Sequence, residues 1–133
     1  MRYSDVELGD ELPTENPDVS MARIIQFVEL TGWKFPRFTD HEYARAEGLP
    51  GAIVPGIMSQ GLLAAMIHRW APGCRIKKLD TVFRTPMVVD SQPVCSAAVT
   101  DCDDDTNTVE LDITVVTEEG ATSVLGTALV QFG

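Results

Sequence analysis

Positive charge is what this chain has least of: 10 Lys and Arg stand against 20 Asp and Glu, a formal net charge of -10 over 133 residues. Nucleic-acid binding is driven by neutralising phosphates with Lys and Arg, so this balance excludes a general nucleic-acid binder. Long apolar runs are missing too. The longest stretches, such as Leu62 to Ile67, fall far short of the roughly 18 residues that a membrane span needs. Near the amino terminus, Arg2 is followed by Asp5, Glu7, Asp10 and Glu11, without a signal peptide's basic start and apolar middle. The expectation is a cytoplasmic protein that engages no membrane. Cysteine is scarce, and the three present (Cys74, Cys95, Cys102) show no Cys-x-x-Cys spacing. That argues against a disulfide framework and against a zinc site, and no metal is expected.

What is there is ordinary for a globular chain. Apolar residues make up 44% and charged ones 23%, and 133 residues suit a single domain spanning 1–133, with no internal repeat or linker. The few cations are unevenly placed. Arg69, Arg75, Lys77, Lys78 and Arg84 make up half of them, and no Lys or Arg follows Arg84. Such a stripe on an acidic protein is either a strand edge protected by lysines or a seat for a small phosphate-bearing ligand. In a strand, Arg75 and Lys77 share one face and Lys78 turns to the other.

Tyr3 to Leu12 alternates weakly and reads as a short strand or extended opening. Ser20 is placed as an N-cap, with Met21, Ile24, Ile25, Val28 and Leu30 at helical spacing until Gly32. Trp33 to Thr39 has no clean period and reads as a loop with a buried side. Asp40 is placed to cap a short helix through Glu47 that Gly48 ends. Ile57 to Trp70 is apolar on nearly every side apart from Ser59, Gln60, His68 and Arg69, which predicts a helix buried almost all round. The period then becomes two. Cys74 to Thr85, Gln92 to Thr100, Thr108 to Thr117 and Ser123 to Phe132 read as antiparallel strands, with turn signals at Asp90-Ser91, Asp101 to Asn107 and Glu118 to Gly120. A buried helix followed by a meander describes an α+β domain whose antiparallel sheet wraps a long central helix.

From Phe38 to Ile57 the chain reads Phe-Thr-Asp-His-Glu-Tyr-Ala-Arg-Ala-Glu-Gly-Leu-Pro-Gly-Ala-Ile-Val-Pro-Gly-Ile. This resembles, without a gap, the signature of the MaoC-like dehydratases, the hotdog-fold family that includes the R-specific enoyl-CoA hydratases. Val6 to Leu12 and Val82 to Val88 are similar to that family's opening segment and to its Phe-x-x-Pro-Val strand. The resemblance implies a hotdog fold, a dimer with a ligand site at the subunit interface, and a coenzyme A thioester as ligand with no other cofactor. It also exposes a departure. The positions of the family's Asp, Asn, Pro, His and trailing Asp are held here by Trp33, Phe35, Pro36, Phe38 and Asp40, and the His of its Pro-Gly-x-Ile-x-His-Gly turn is Pro55. Hydration of a conjugated double bond needs one group to take a proton and another to deliver one, which indole and phenyl rings do not do. Losing both corresponds to about 5 kcal/mol or more of transition-state stabilisation.

The family binds its thioester carbonyl at a backbone N–H that corresponds to Gly56, where a glycine lets a ligand approach a helix N-terminus. Trp33, Phe35, Phe38, Pro55, Gly56 and Ile57 are therefore the expected lining of an acyl site, with Arg75 and Lys77 for the phosphates. The aromatic trio has the alternative of packing in the core, and the slot that of being filled by its own side chains. Asp40 suits an N-cap better than a catalytic carboxylate, and His41 lies one residue past the family His; the two are the candidate substitutes for acid and base. His68 suits a helix C-terminus, and the aspartates from Asp101 to Asp105 suit a solvated hairpin rather than a calcium loop.

The expectation is thus a catalytically degenerate MaoC-like subunit that binds acyl-CoA, as a homodimer or as a heterodimer with another MaoC-like chain. An alternative is an active hydratase or dehydratase, a lyase of fatty acid metabolism, using non-family residues such as His41 with Asp40. Another is a hotdog thioesterase, which requires a carboxylate facing the thioester.

Overall fold

In the computed structural model, which describes residues 1–133, the chain opens with a 3-10 turn over Tyr3–Asp5 rather than a strand. Extended backbone follows, bridging to the sheet at Glu11 to Ala98 and at Glu15 to Cys95. Helix α1 spans Met21–Thr31 because both ends are capped. The Ser20 side chain accepts the Arg23 N–H, and Gly32 takes the left-handed φ of 77° that lets its N–H return to the Val28 carbonyl.

Trp33 to Thr39 departs from the expected loop. Pro36 opens a single turn of helix, α2, over Pro36–Thr39, since its fixed φ suits a first helical position and its missing N–H is no loss there. Only the Phe38 side of that segment packs on the core, and Trp33 and Phe35 stay exposed. Asp40 then caps α3, His41–Ala46, by accepting the Tyr43 N–H at 3.1 Å.

Helix α4 is Gly56–Trp70, but the all-round burial expected of it does not occur. Ser59, Leu63, Met66 and Ile67 are buried, while Ile57, Gly61 and His68 form an exposed stripe on the other side. A single four-stranded layer covers one face of a helix and leaves the opposite face open.

The strands are β1 Arg75–Phe83, β2 Val94–Asp103, β3 Thr108–Val116 and β4 Thr122–Gln131, all antiparallel. Their order is β1-β4-β3-β2, so only the last three form a meander and β1 joins the far side by pairing with β4. The aspartates Asp101 to Asp103 extend β2, which confines the hairpin turn to the residues before Thr108, where Asn107 takes a φ of 54°. One cluster of buried apolar side chains, drawn from α1, α4 and the inner face of β2, β3 and β4, forms the core. The β1 strand contributes no fully buried residue and has a free edge. A bulge between Ile76 and Lys78 leaves Lys77 as an extra residue, which interrupts the simple alternation expected for Arg75, Lys77 and Lys78.

Candidate functional site

The start of α4 is the one helix terminus in the molecule that is both long-armed and uncapped. Pro55 at the N-cap has no side-chain oxygen, no acidic residue occupies the first turn, and the Gly56 and Ile57 N–H groups bond to nothing within the chain. Unpaired N–H groups and the helix dipole make such an end an acceptor-binding point. Its position is fixed by the preceding segment. Ile53 donates to the Arg37 carbonyl at 3.0 Å, Val54 donates to the Met87 carbonyl at 2.8 Å, and Val89 donates to the Ala52 carbonyl at 2.8 Å. The Phe83 ring lies directly on Gly56. A Cβ there would sit 3.1 Å from Phe83 Cζ, so a larger residue would press on the half-exposed Phe83 ring.

Beside this terminus a cavity of about 210 Å³ opens between α4 and the β1 to Met87 segment, with Ile53, Gly56, Ser59, Phe83, Arg84 and Ser123 in its wall. Of the residues expected to bind substrate, Gly56 alone lies in it. Pro55 is buried beneath, and Ile57 faces outward on the exposed stripe of α4. Trp33 packs edge-on against Phe27 with ring centres 6.5 Å apart, and Phe35 does the same against Phe38 at 6.1 Å. None of these aromatics lines the cavity.

Arg75 and Lys77 stand at the other end of β1, about 20 Å along the strand from Phe83 for Lys77. Lys77 shares a groove on the outer face of the sheet with Asp101, Asp103 and Glu110. Two more cations of the stripe are paired: Arg69 forks onto the Glu15 carboxylate, which holds that carboxyl below its usual range, and Lys78 meets Asp80 at 3.1 Å. Arg84, the stripe's last cation, reaches the cavity wall and forms no ion pair, and the sequence named it only as part of that stripe.

Asp40 and His41 are both occupied. The Asp40 carboxylate holds the Tyr43 N–H as an N-cap. His41 Nδ1 accepts the Ala52 N–H at 3.0 Å, so the neutral ring carries its proton on Nε2 and donates it to Asp90, 3.0 Å away. The His41 hydrogen bond, helped by the Met21 N–H, lowers the Asp90 carboxyl from its ordinary value. Gly51 makes room for the ring, since a Cβ there would be 3.0 Å from His41 Nδ1. His68 lies on the surface with Cys74 Sγ 3.8 Å from its Nδ1, and burial raises the Cys74 thiol, which keeps it from acting as a thiolate. Burial likewise pushes Cys95 up to about 11.

Among the wall residues that the sequence did not place in the acyl site are Ser59, Phe83 and Arg84. Ser59 stood out there only as a polar interruption of an apolar helix, which was its signal. Phe83 and Arg84 belong to a strand end, and period-two alternation cannot say which helix the end meets.

No protein-family profile matches the chain, and no curated protein does. Solved structures do match. The (R)-hydratase from A. caviae involved in PHA biosynthesis superposes with a TM-score of 0.89 at 22% identity, over 96% of this chain and 98% of that one. R-hydratase PhaJ1 from Pseudomonas aeruginosa, in its unliganded form, gives 0.90 at 20% identity over 98% and 84%. The chain has the hotdog fold. A chain of the ChsH1-ChsH2 complex from Mycobacterium tuberculosis shares it as well, with a TM-score of 0.86 at 19% identity over 96% and 99%. The structural neighbours of this hotdog are MaoC-like dehydratases and (R)-hydratases, as the Phe38 to Ile57 segment led one to expect. No helix is long and apolar enough to cross a membrane.

Proposed function

We propose that this hotdog protein binds an acyl thioester, with coenzyme A as the carrier, and that it lacks the family's proton-transferring pair. The observation that carries the reading is the Gly56 and Ile57 N–H pair at the uncapped start of α4, free of partners within the chain, with Gly56 bordering a cavity. A thioester carbonyl is the acceptor such a pair suits, because its oxygen gains both the hydrogen bonds and the helix dipole. The neighbours that share the fold include hydratases and a two-component complex, and this supports a subunit that works alone as a dimer or beside a MaoC-like partner.

In the register that carries acid and base in the resembling family stand Trp33 and Phe38. Asp40 and His41 offer no replacement, since each already holds a backbone N–H. A thioesterase needs a carboxylate at the thioester, and the cavity wall has none.

The test is hydration of trans-2-enoyl-CoA substrates of short and long chain, followed by loss of enoyl absorbance, alongside calorimetry with crotonyl-CoA. The expected result is binding without turnover by the purified protein. Turnover at ordinary enzymatic rates, about 1 per second or faster, overturns the degenerate reading. Absence of binding at millimolar ligand overturns the thioester reading itself.

A further inference from the structure

We infer that the cavity at the start of α4 receives the free carboxylate of a short dicarboxylic acyl thioester, and not a plain hydrocarbon end. The inference rests on the thioester reading above and names a substrate class within it.

Two hydroxyl-bearing residues in the wall are almost wholly buried, Ser59 at 2% and Ser123 at 4% exposure. Neither hydroxyl takes part in a side-chain hydrogen bond of the chain. No fully enclosed polar side-chain atom in the molecule lacks a partner. Both oxygens therefore retain an opening, and the cavity is the space their residues line. A buried hydroxyl left unpaired is costly, whereas one that donates to a charged acceptor is worth more than an ordinary hydrogen bond.

Charge points the same way. The wall contains Arg84, without an ion pair, and no Asp or Glu. On a protein of net charge -10 that is unusual: each of four other cavities, of about 220 to 410 Å³, has at least one carboxylate in its wall. The acidic side chains that dominate the surface are absent from the wall that Gly56, the two serines and an unpaired cation share. An apolar acyl tail would leave the hydroxyls unsatisfied, while a carboxylate satisfies them.

Length fits as well. Ser59 lies three residues beyond Gly56, about 4.5 Å along the helix axis. In a succinyl thioester the carboxylate carbon stands three C–C bonds from the thioester carbonyl carbon, a comparable span. A volume of about 210 Å³ is below the roughly 300 Å³ at which sites for larger ligands begin, which suits a four-carbon acyl group.

Calorimetry with succinyl-CoA and butyryl-CoA, which differ by a carboxylate in place of a methyl, tests this on the intact protein. Wild type should prefer succinyl-CoA by about tenfold or more. Ser59→Ala should erase most of that preference, read as the ratio of the two affinities, and Arg84→Gln, at an exposed position that does not pack in the core, should do the same. Melting curves check that both variants are folded. Equal affinity for the two thioesters, or a preference that survives both substitutions, overturns the carboxylate assignment and leaves the thioester reading standing. If neither thioester binds, the thioester reading falls and this inference falls with it.

Discussion

At the scale of single residues, His41 shows how a side chain of catalytic type can be fully spent on structure. Its two ring nitrogens join the Ala52 N–H on one side to Asp90 on the other, and Asp90 in turn holds the Met21 N–H at the first turn of α1. Asp90 adopts a φ of 69°, which Asp tolerates better than most residues. His41→Ala leaves the N–H of the fully buried Ala52 without its partner and should cost about 1–3 kcal/mol in chemical denaturation. Acid should act through Asp90. Its folded carboxyl titrates below the unfolded one, so its contribution is complete above the unfolded value and is lost as pH falls through the lower folded value. The acid sensitivity of unfolding should therefore be weaker in Asp90→Asn than in wild type, and equal slopes would remove Asp90 from the account. The N-cap at Asp40 was legible because capping is a local rule. The His41 to Asp90 pair was not, because the two lie 49 positions apart. Gly56 was reached through the resemblance and Ser59 was visible only as an exception, since nothing local says that a polar residue in a buried helix borders a cavity.

At the scale of elements, what announces itself in the sequence is what has ends. Ser20 with Gly32, and Asp40 with Gly48, bracket α1 and α3 closely. The α2 turn escapes because four residues are too few to show a period. Strand existence follows from alternation, but strand order does not, and the pairing of β1 with β4 depends on packing instead. Gly126 in β4 is where that packing is tightest: a Cβ would collide with the Asp80 carbonyl and stand 2.9 Å from Thr81 Cα. These contacts are all β1 backbone, which cannot yield as a side-chain end can. Gly126→Ala should accordingly destabilise the protein by about 1–3 kcal/mol or more, and it should raise hydrogen exchange across β1 before it affects the β2–β3 hairpin. Uniform loss of protection in all four strands would show that β1 does not open as a separate unit.

At the scale of the whole molecule, the remaining exposed features point to a second chain. The β1 strand has a free edge and no buried residue, Val82 and Phe83 at its end are half exposed, and the α4 stripe through Ile57 and Gly61 lacks a cover. An open edge beside apolar surface favours association. Light scattering should give a mass of at least twice 14.5 kDa, and Ile57→Glu should lower it by placing a charge on the uncovered face. A clean monomer of the wild type at micromolar concentration would contradict this, unless a MaoC-like partner restores a complex. Net charge, the one global property that sequence states outright, decides the salt dependence of that association. Two copies bring together chains of -10 each, so long-range repulsion opposes the apolar contact. Raising salt from about 0.1 M to 1 M shortens the screening length from about 10 Å to about 3 Å and leaves the apolar term in place. Dissociation should thus become weaker at high salt, the reverse of what an interface built from the basic stripe and an acidic partner face would give. Dissociation strengthened by salt would place Arg75 and Lys77 in the contact instead of the α4 stripe.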